Sequence, residues 1–287
     1  MKLVDTKDLK SLPVWECQFE SGRGHQNLYE IKPMRKIHFV FDKTQRSLLL
    51  KKTILKIHRN YKAKNASFIV IAGGDGFMLK SIKRLYKYQK PFYGINCGTF
   101  GFLMNNYSYK NINEKISKAK KITINPLSIQ TIYNKKKIKK LIAINELSIF
   151  RQSRQTAKLK LKINNKIIIK KLIGDGLLVS TPAGSTAYNL SVNGPILSLN
   201  SGKLAVTPIS PFRPRRWRGK VISNKSVIKI YNQSPQKRPV AAVADNIEIR
   251  NVNKIIIRIQ KKINIHLLHD SHRTLVKRIK SEQLRRK

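Results

Sequence analysis

The chain has few cysteines and no long apolar run. Only Cys17 and Cys97 occur in 287 residues, and they do not form a C-x-x-C pair. We therefore expect neither a disulfide framework nor a zinc site, and a reducing cytoplasm is the expected location. No apolar run approaches the ~20 residues that a membrane-spanning helix needs, and residues 1–10 lack the apolar stretch of a secretory signal.

Acidic residues are also scarce. The chain has 14 Asp and Glu against 60 Lys and Arg, a net charge of +46. Such a charge would suit a polyanion-binding protein, but the lysines are spread along the whole chain. Ile and Asn, whose codons are A/T-rich like those of Lys, are also abundant. We therefore attribute most of the charge to a genome biased toward A/T-rich codons and not to selection for a polyanion. Four acids stand out in apolar or glycine surroundings: Asp75, Glu146, Asp175 and Asp245.

The most informative stretch is the glycine loop Gly73-Gly74-Asp75-Gly76. It follows the apolar run Ser67–Ala72 and precedes a helical pattern that runs from Phe77 to about Tyr88. A strand, a glycine turn and a helix direct unpaired N–H groups and the positive helix end at the turn, which suits a phosphate. A carboxylate is not needed there unless the site also moves a proton or holds a metal. The alternative is a tight turn in which Asp75 is a helix N-cap.

Strands and helices alternate around this loop. Lys36–Phe41 and Pro91–Asn96 have the pattern of strands, and Thr44–His58 has that of a helix. This order predicts a parallel α/β domain, whose ligands bind at the carboxyl ends of the strands. A second glycine-containing loop, 98–101, follows the third strand, so we expect the two loops to form one cleft.

Beyond Lys121 the helical patterns nearly vanish, and many short β-rich segments follow, separated by turn residues. This spacing predicts a sandwich-like second domain. The expected fold class is therefore α/β plus all-β, with an N-terminal Rossmann-like parallel α/β domain and a C-terminal β-sandwich-like domain. The expected divisions are an unassigned N-terminal extension (1–33), the α/β domain with the glycine loop (34–120), a β-rich ligand-binding domain (121–270) and a basic C-terminal helix (271–287).

Two polar interruptions occur within apolar strands. Asn145 and Glu146 lie inside the apolar stretch Leu141–Phe150, where an unpaired buried polar group would cost about 1–3 kcal/mol. An adjacent amide and carboxylate suit the vicinal hydroxyls of a ribose, and a solvated strand end is the alternative. Asp175 lies between Gly174 and Gly176, which permits either close approach of a ligand or a hairpin turn.

The stretch Ser180–Ser191 reads STPAGSTAYNLS. Its small residues leave space for a flat ring, and the side chains of Thr186, Asn189 and Ser191 offer hydrogen bonds, while Tyr188 offers a ring for stacking. A short helix capped by Ser185 or Thr186 is the simpler interpretation.

Together these motifs resemble one family, the NAD kinases. The matching text is Gly73–Gly76, Asn145-Glu146 and Asp175–Ser191, in the order and spacing of the family, and Thr207–Arg218 resembles its α-proteobacterial members. The resemblance extends from about Lys36 to His269. It implies ATP-dependent phosphorylation of the adenosine-ribose 2′-hydroxyl of NAD to give NADP, with Mg²⁺ as the expected metal ion and a homodimer or homotetramer as the expected assembly.

The resemblance also implies roles for individual residues. Asp75 matches the catalytic aspartate of the family, and the sequence leaves open whether it accepts the hydroxyl proton or organises the metal. No metal ligand is assigned. Gly73, Gly74, Asp75 and Gly76 would form the phosphate loop. The implied NAD-binding residues are Asp75, Gly76, Lys80, Asn145, Glu146, Asp175, Ala183, Thr186, Ala187, Tyr188, Asn189, Leu190 and Ser191.

The chain departs from the family at Ala244-Asp245-Asn246, where many members carry Asp-Gly. Because Asn tolerates positive φ, we expect Asn246 to keep the turn, and the resemblance leaves the role of Asp245 open.

Two other functions fit part of the sequence. A lipid kinase of the diacylglycerol type shares the Gly-Gly-Asp-Gly motif, but the text from Thr181 to Ser191 argues against it. A basic nucleic-acid-binding protein would show clustered Lys and Arg with interleaved aromatics, whereas the lysines here are dispersed; the richest basic cluster is Arg213–Arg218. No Walker-type motif occurs, so a P-loop enzyme is excluded. We expect neither a specific nucleic acid nor a membrane as partner.

Overall fold

A computed structural model describes residues 35–99, 101–134 and 136–271. The expected N-terminal extension, 1–33, and the expected C-terminal helix beyond residue 271 lie outside these residues. Within the described part of the chain, no helix is both long enough and apolar enough to cross a membrane.

Helices and strands alternate in the first part of the chain, as expected. Within α2 the apolar residues Met78, Leu79, Ile82 and Leu85 recur at helical spacing and are buried, so the helix packs one face on the sheet. The elements are β1 (Ile37–Phe41), α1 (Gln45–Ile57), β2 (Phe68–Gly73), α2 (Asp75–Leu85), β3 (Phe92–Asn96), α3 (Ile112–Lys118) and β4 (Lys120–Ile124).

Short strands dominate the second part, as the spacing of turn residues predicted. They are β5 (Leu127–Tyr133), β6 (Lys137–Ala143), β7 (Glu146–Arg151), β8 (Ala157–Ile163), β9 (Lys166–Gly174), β10 (Gly176–Ser180), β11 (Lys203–Ile209), β12 (Lys220–Ser223), β13 (Ile228–Asn232), β14 (Val240–Ala244), β15 (Ile247–Ile249), β16 (Val252–Ile259) and β17 (Ile265–His269). A short helix, α4 (Tyr188–Ser191), lies between β10 and β11.

Two six-stranded antiparallel sheets form the sandwich. Their strand orders are β12-β11-β10-β7-β14-β15 and β6-β5-β16-β13-β8-β9. Apolar residues alternate along the strands, for example Leu159 and Leu161 on β8 and Leu177 and Val179 on β10, and pack together in one core between the sheets. The β-sandwich prediction is confirmed.

The third sheet is the parallel α/β sheet, with the order β1-β2-β3-β17-β4. The last two strands of this sheet do not respect the expected domain boundaries at residues 121 and 270. Strand β4 spans the first boundary, and β17 comes from the part of the chain that was assigned to the β-rich domain. β17 runs parallel to β3 and antiparallel to β4. An alternating apolar pattern predicts a strand but does not specify its pairing partner, so the sequence did not reveal this crossing.

Candidate functional site

The glycine loop lies where β2 gives way to α2. Gly74 is the N-cap and Asp75 is already the first helical residue, two residues earlier than the pattern predicted, so the N-cap alternative for Asp75 is wrong. A Cβ atom built on Gly74 or on Gly76 would have no heavy atom within 4 Å. The glycines therefore leave open space at a helix N-terminus, which is where a phosphate binds.

The Asp75 carboxylate joins this loop to the loop after β3. Oδ2 accepts a hydrogen bond from the Phe102 backbone N–H at 2.6 Å, and Oδ1 accepts one from the Leu103 N–H at 3.2 Å. The Cys97 N–H donates to the Gly73 carbonyl at 2.8 Å. The two loops therefore meet at one edge of the sheet, as their positions after parallel strands predicted.

The Asn145–Glu146 pair lies in a turn at residues 144–146, which Asp245 holds by hydrogen bonds. The Asp245 carboxylate accepts hydrogen bonds from the N–H groups of Ile144 at 2.8 Å, Asn145 at 2.9 Å and Glu146 at 3.2 Å. Asp245 itself has a φ of +52°, so the left-handed residue of the turn between β14 and β15 is Asp245 and not the expected Asn246. Asp tolerates this conformation because its short polar side chain can bond locally.

Three side chains that the sequence assigned to NAD carry buried polar atoms without a partner. Among the described residues these are Asn145 Oδ1, Glu146 Oε2 and Thr186 Oγ1. Each unpaired atom costs about 1–3 kcal/mol, so three of them on residues that the sequence assigned to NAD favour a polar ligand beside these side chains. Burial, and next the nearby Asp245 charge, raise the pKa of Glu146 to about 8, against an opposing effect of Lys83.

The stretch Ser180–Ser191 packs directly on the Asn145 turn. The Thr181 hydroxyl donates to the Ile144 carbonyl at 2.7 Å, and the Thr181 N–H donates to the Asn145 carbonyl at 2.9 Å. A 3₁₀ turn at Ala183–Thr186 and then α4 follow, without the side-chain cap that we expected from Ser185 or Thr186. The Ser185 hydroxyl instead donates to the Pro182 carbonyl at 2.7 Å.

An aromatic pair, Phe150 and Tyr188, lies on the face of β7 that carries the Glu146 side chain. The rings of Tyr188 and Phe150 lie with centroids 5.7 Å apart at 38°. Residues on alternate positions of β7 share a face, so Phe150 and Glu146 point to the same side. Burial, and next the charges of Asp175 and Glu146, raise the pKa of the Tyr188 phenol. A flat ring could stack beside this pair, flanked by both acids.

The remaining predicted residues differ in their exposure. Asp175 lies between β9 and β10 and forms an ion pair with Arg151, Oδ1 to Nε 2.5 Å. Lys80 and Ser191 are exposed, and Ala187 and Leu190 are half-buried.

Two predicted residues face the interior. Asn189 is buried, its Nδ2 donating to the Pro195 carbonyl at 2.9 Å and its Oδ1 accepting from the Thr207 hydroxyl at 2.7 Å. Ala183 is buried and packs in the core cluster with Met78 of α2. Both side chains pack on the interior side of the Ser180–Ser191 stretch, and their NAD contacts stay a prediction.

Sequence reasoning missed Lys83 and Phe150. Lys83 forms an ion pair with Asp245, Nζ to Oδ2 2.9 Å; the signal available was its place on the helix that Asp75 begins, together with the isolated acid Asp245. Phe150 could have been found from period-2 counting, since it lies four residues after Glu146 on one strand.

Two family models match the chain. The ATP-NAD kinase N-terminal domain matches residues 20–121, and the ATP-NAD kinase C-terminal domain matches residues 144–263. The first match starts ahead of Lys36, so it includes residues 20–33 of the stretch that we had left unassigned.

Relatives of known name are similar over most of their length. The NAD kinase of Zymomonas mobilis is 44% identical over 234 residues, which cover 80% of this chain and 90% of the relative. The NAD kinase of Brucella melitensis is 41% identical over 249 residues, which cover 87% of this chain and 97% of the relative.

Solved structures share the fold at low identity. Yeast NADH kinase complexed with NADH has a TM-score of 0.73 and 18% identity, with 88% of this chain and 89% of that chain covered. An NAD kinase from Archaeoglobus fulgidus in complex with ATP has a TM-score of 0.69 and 20% identity, with 86% and 99% covered. The parallel α/β and β-sandwich halves described above are thus found together in both.

Proposed function

Since this chain belongs to the NAD kinase family, we propose that its site holds the adenosine ribose of NAD between Asp75 and the Asn145–Glu146 turn. The enzyme transfers a phosphoryl group from ATP to the 2′-hydroxyl of that ribose and forms NADP. The lipid-kinase and nucleic-acid-binding alternatives receive no support from the relatives described above.

The observation that carries this assignment is the set of unpartnered atoms, Asn145 Oδ1, Glu146 Oε2 and Thr186 Oγ1. Ribose hydroxyls can donate to the first two, and the Thr186 hydroxyl can donate to, or accept from, the dinucleotide. A ligand that satisfies all three removes the cost of leaving them buried and unpaired.

We assign the proton transfer to Asp75. As the 2′-oxygen bonds to the γ-phosphorus of ATP, the bond from that phosphorus to the ADP oxygen breaks, and the hydroxyl proton passes to the Asp75 carboxylate. Hydrogen bonds from Phe102 and Leu103 fix the direction of this carboxylate. Positioning of this kind is the main contribution of a protein to phosphoryl transfer.

The triphosphate of ATP is proposed to lie against Gly74 and Gly76, where the open space and the N–H groups of α2 face it. Within the described residues, no group of three or more His, Cys, Asp or Glu side chains could hold a metal ion. Mg²⁺ is usually bound by nucleotide phosphates and one or two carboxylates, and Asp75, beside the open space at Gly74 and Gly76, is the candidate carboxylate. When bound, Mg²⁺ offsets the charge of the triphosphate.

The other predicted residues complete the proposed NAD site. Tyr188 and Phe150 would stack on one ring of the dinucleotide, and Asp175 would bind a polar group at its edge. Lys80, exposed one turn after Gly76, would contact a phosphate. Ala183, Ala187, Asn189, Leu190 and Ser191 would shape the surrounding wall.

One assay tests the function. Purified protein is incubated with ATP, Mg²⁺ and NAD, and NADP is measured. NADP formation at a rate that rises with both substrates is expected. Absence of NADP with every nucleoside triphosphate and with inorganic polyphosphate would contradict the assignment.

NAD affinity is expected to increase with pH. Because the pKa of Glu146 is raised to about 8, its carboxyl is mostly protonated at pH 7 in the free enzyme. Ribose hydroxyls that donate to the carboxylate favour the ionised form, so NAD binding releases a proton. The KM for NAD should therefore fall by up to about tenfold per pH unit below 8 and level off above it. A Glu146→Gln variant supplies the control, with a higher KM that lacks this slope. A KM that is flat from pH 6 to 9 in the unaltered enzyme would contradict this role.

We further propose a cytoplasmic enzyme that forms a homodimer or homotetramer, as the family resemblance implies. The scarcity of cysteine, with two in 287 residues, supports a reducing location. Light scattering of the purified chain measures the assembly directly.

A further inference from the structure

The backbone of the turn 144–146 is fully hydrogen-bonded. Asp245 accepts from all three N–H groups. The Ile144 carbonyl accepts from the Thr181 hydroxyl, the Asn145 carbonyl from the Thr181 N–H, and the Glu146 carbonyl from the Asp245 N–H at 3.1 Å. Only the side chains of Asn145 and Glu146 keep unpartnered oxygens in this turn, so the backbone bonds fix the direction in which those side chains point.

The Asp245 carboxylate is saturated by these contacts. Oδ1 accepts from Asn145 and Glu146, and Oδ2 accepts from Ile144 and from Lys83 Nζ. A carboxylate offers about four acceptor positions, and all four are used. Its side chain is only 1% exposed, which leaves no room for a ligand.

Lys83 is saturated in the same way. Its ammonium lies 2.9 Å from Asp245 Oδ2, 2.9 Å from the Ala244 carbonyl and 3.2 Å from Asn246 Oδ1. An ammonium has three protons to donate, and these three acceptors lie on consecutive residues. The Lys83 side chain is 11% exposed.

Lys83 also lies on the helix that begins at the proposed base. Asp75 is the first residue of α2, and Lys83 follows about 12 Å along the axis. Hence α2 carries the base at one end and is bonded, through Lys83 and Asp245, to the turn that carries the proposed ribose contacts. Packing of Met78 and Ile144 in one core cluster links the same two elements.

We propose that the Lys83–Asp245 ion pair positions Asn145 and Glu146 relative to Asp75, so that one ribose meets all three side chains. This inference rests on the proposed function. Lys83 and Asp245 are positioning residues, since neither has an atom left to touch NAD.

The test compares Lys83→Met, Lys83→Arg and Asp245→Asn with an Arg84→Met control. Arg84 is exposed on the same helix and should leave every constant unchanged. Lys83→Met and Asp245→Asn are expected to raise the KM for NAD by about tenfold, the size of one lost charge-assisted hydrogen bond, with the KM for ATP unchanged. Lys83→Arg, which keeps the charge, should recover part of the loss.

A merely structural role gives a different result. Partial unfolding would lower the amount of active enzyme, and thus the apparent kcat, while the KM of the folded fraction stayed unchanged. Thermal unfolding of each variant measures that fraction independently, and Lys83→Arg remains informative if Asp245→Asn fails to fold.

The pH dependence of the NAD affinity provides a second readout. The groups facing Glu146 are Asp245, Lys83 and Tyr188. Because Asp245 raises and Lys83 lowers the pKa of Glu146, the midpoint should move down in Asp245→Asn and up in Lys83→Met. Unchanged KM for NAD in both variants, with NADP formed by the unaltered enzyme, would overturn the positioning role alone. An unaltered enzyme that forms no NADP would overturn the proposed function.

Discussion

Replacement of Asp75 by Asn is expected to lower kcat by about 10²–10⁴-fold, the usual range for a lost general base. The amide has nearly the shape of the carboxylate, and its oxygen can still accept from the Phe102 N–H, which donates to Asp75 at 2.6 Å. It cannot take up the 2′-hydroxyl proton. Steady-state kinetics with saturating ATP, Mg²⁺ and NAD measure the effect, and thermal unfolding confirms that the loop survives.

A Mg²⁺ titration distinguishes the two roles that the sequence left open for Asp75. If the residue is the base, kcat of Asp75→Asn stays low at every Mg²⁺ concentration. If it mainly organises the metal, added Mg²⁺ restores turnover. Near-normal kcat in the variant at ordinary Mg²⁺ would rule out both.

Replacement of Gly184 by Ala is expected to lower kcat/KM by about 10²-fold, the cost of displacing a substrate-binding group by about 1 Å. A Cβ at this position would lie 2.3 Å from the Asn145 carbonyl oxygen and 2.6 Å from its Cα. Both are backbone atoms, which cannot rotate away as a side chain can. The turn would shift, carrying Asn145 and Glu146 with it, and overpacking of this kind costs about 1–3 kcal/mol of stability.

Gly76→Ala is the matched control for stability in this experiment. A Cβ on Gly76 meets nothing within 4 Å, so the free energy of unfolding of Gly76→Ala should not be lower than that of the unaltered protein. The free energy of unfolding of Gly184→Ala should be lower. Calorimetry of both variants separates a displaced turn from a general effect of adding a methyl group, and the kinetics are measured on Gly184→Ala alone because Gly76 belongs to the proposed phosphate loop. A Gly184→Ala enzyme with normal kcat/KM would show that the turn can relax without cost to the site.

Where local pattern and topology agree, the sequence predicted which two loops meet. Gly73–Gly76 and the loop after β3 had to meet, because parallel strands present their carboxyl ends at one edge of a sheet. Asn145 and Glu146 were conspicuous because an amide and a carboxylate interrupt an apolar strand, and their side-chain oxygens do lie buried without partners.

Other features were beyond local reasoning because they depend on partners far along the chain. Asp245 is 99–101 residues from the three N–H groups that it binds, so nothing in its neighbourhood revealed its role. Asn189 is a residue type that often contacts ligands, but its side-chain amide is hydrogen-bonded to Pro195 and Thr207 in the interior. A polar side chain in a small-residue stretch predicts hydrogen bonds, and only tertiary packing decides to what.

The place of β17 in the five-stranded sheet has a consequence for the order in which the protein is made. The strand lies between β3 and β4, although residues 125–264 separate it from β4 in the chain. A growing polypeptide exposes the open edge of β3 until residues 265–269 have left the ribosome. The five-stranded sheet is completed only then. The edge of that sheet that carries the proposed base, Asp75, should therefore be among the last parts of the enzyme to form during synthesis.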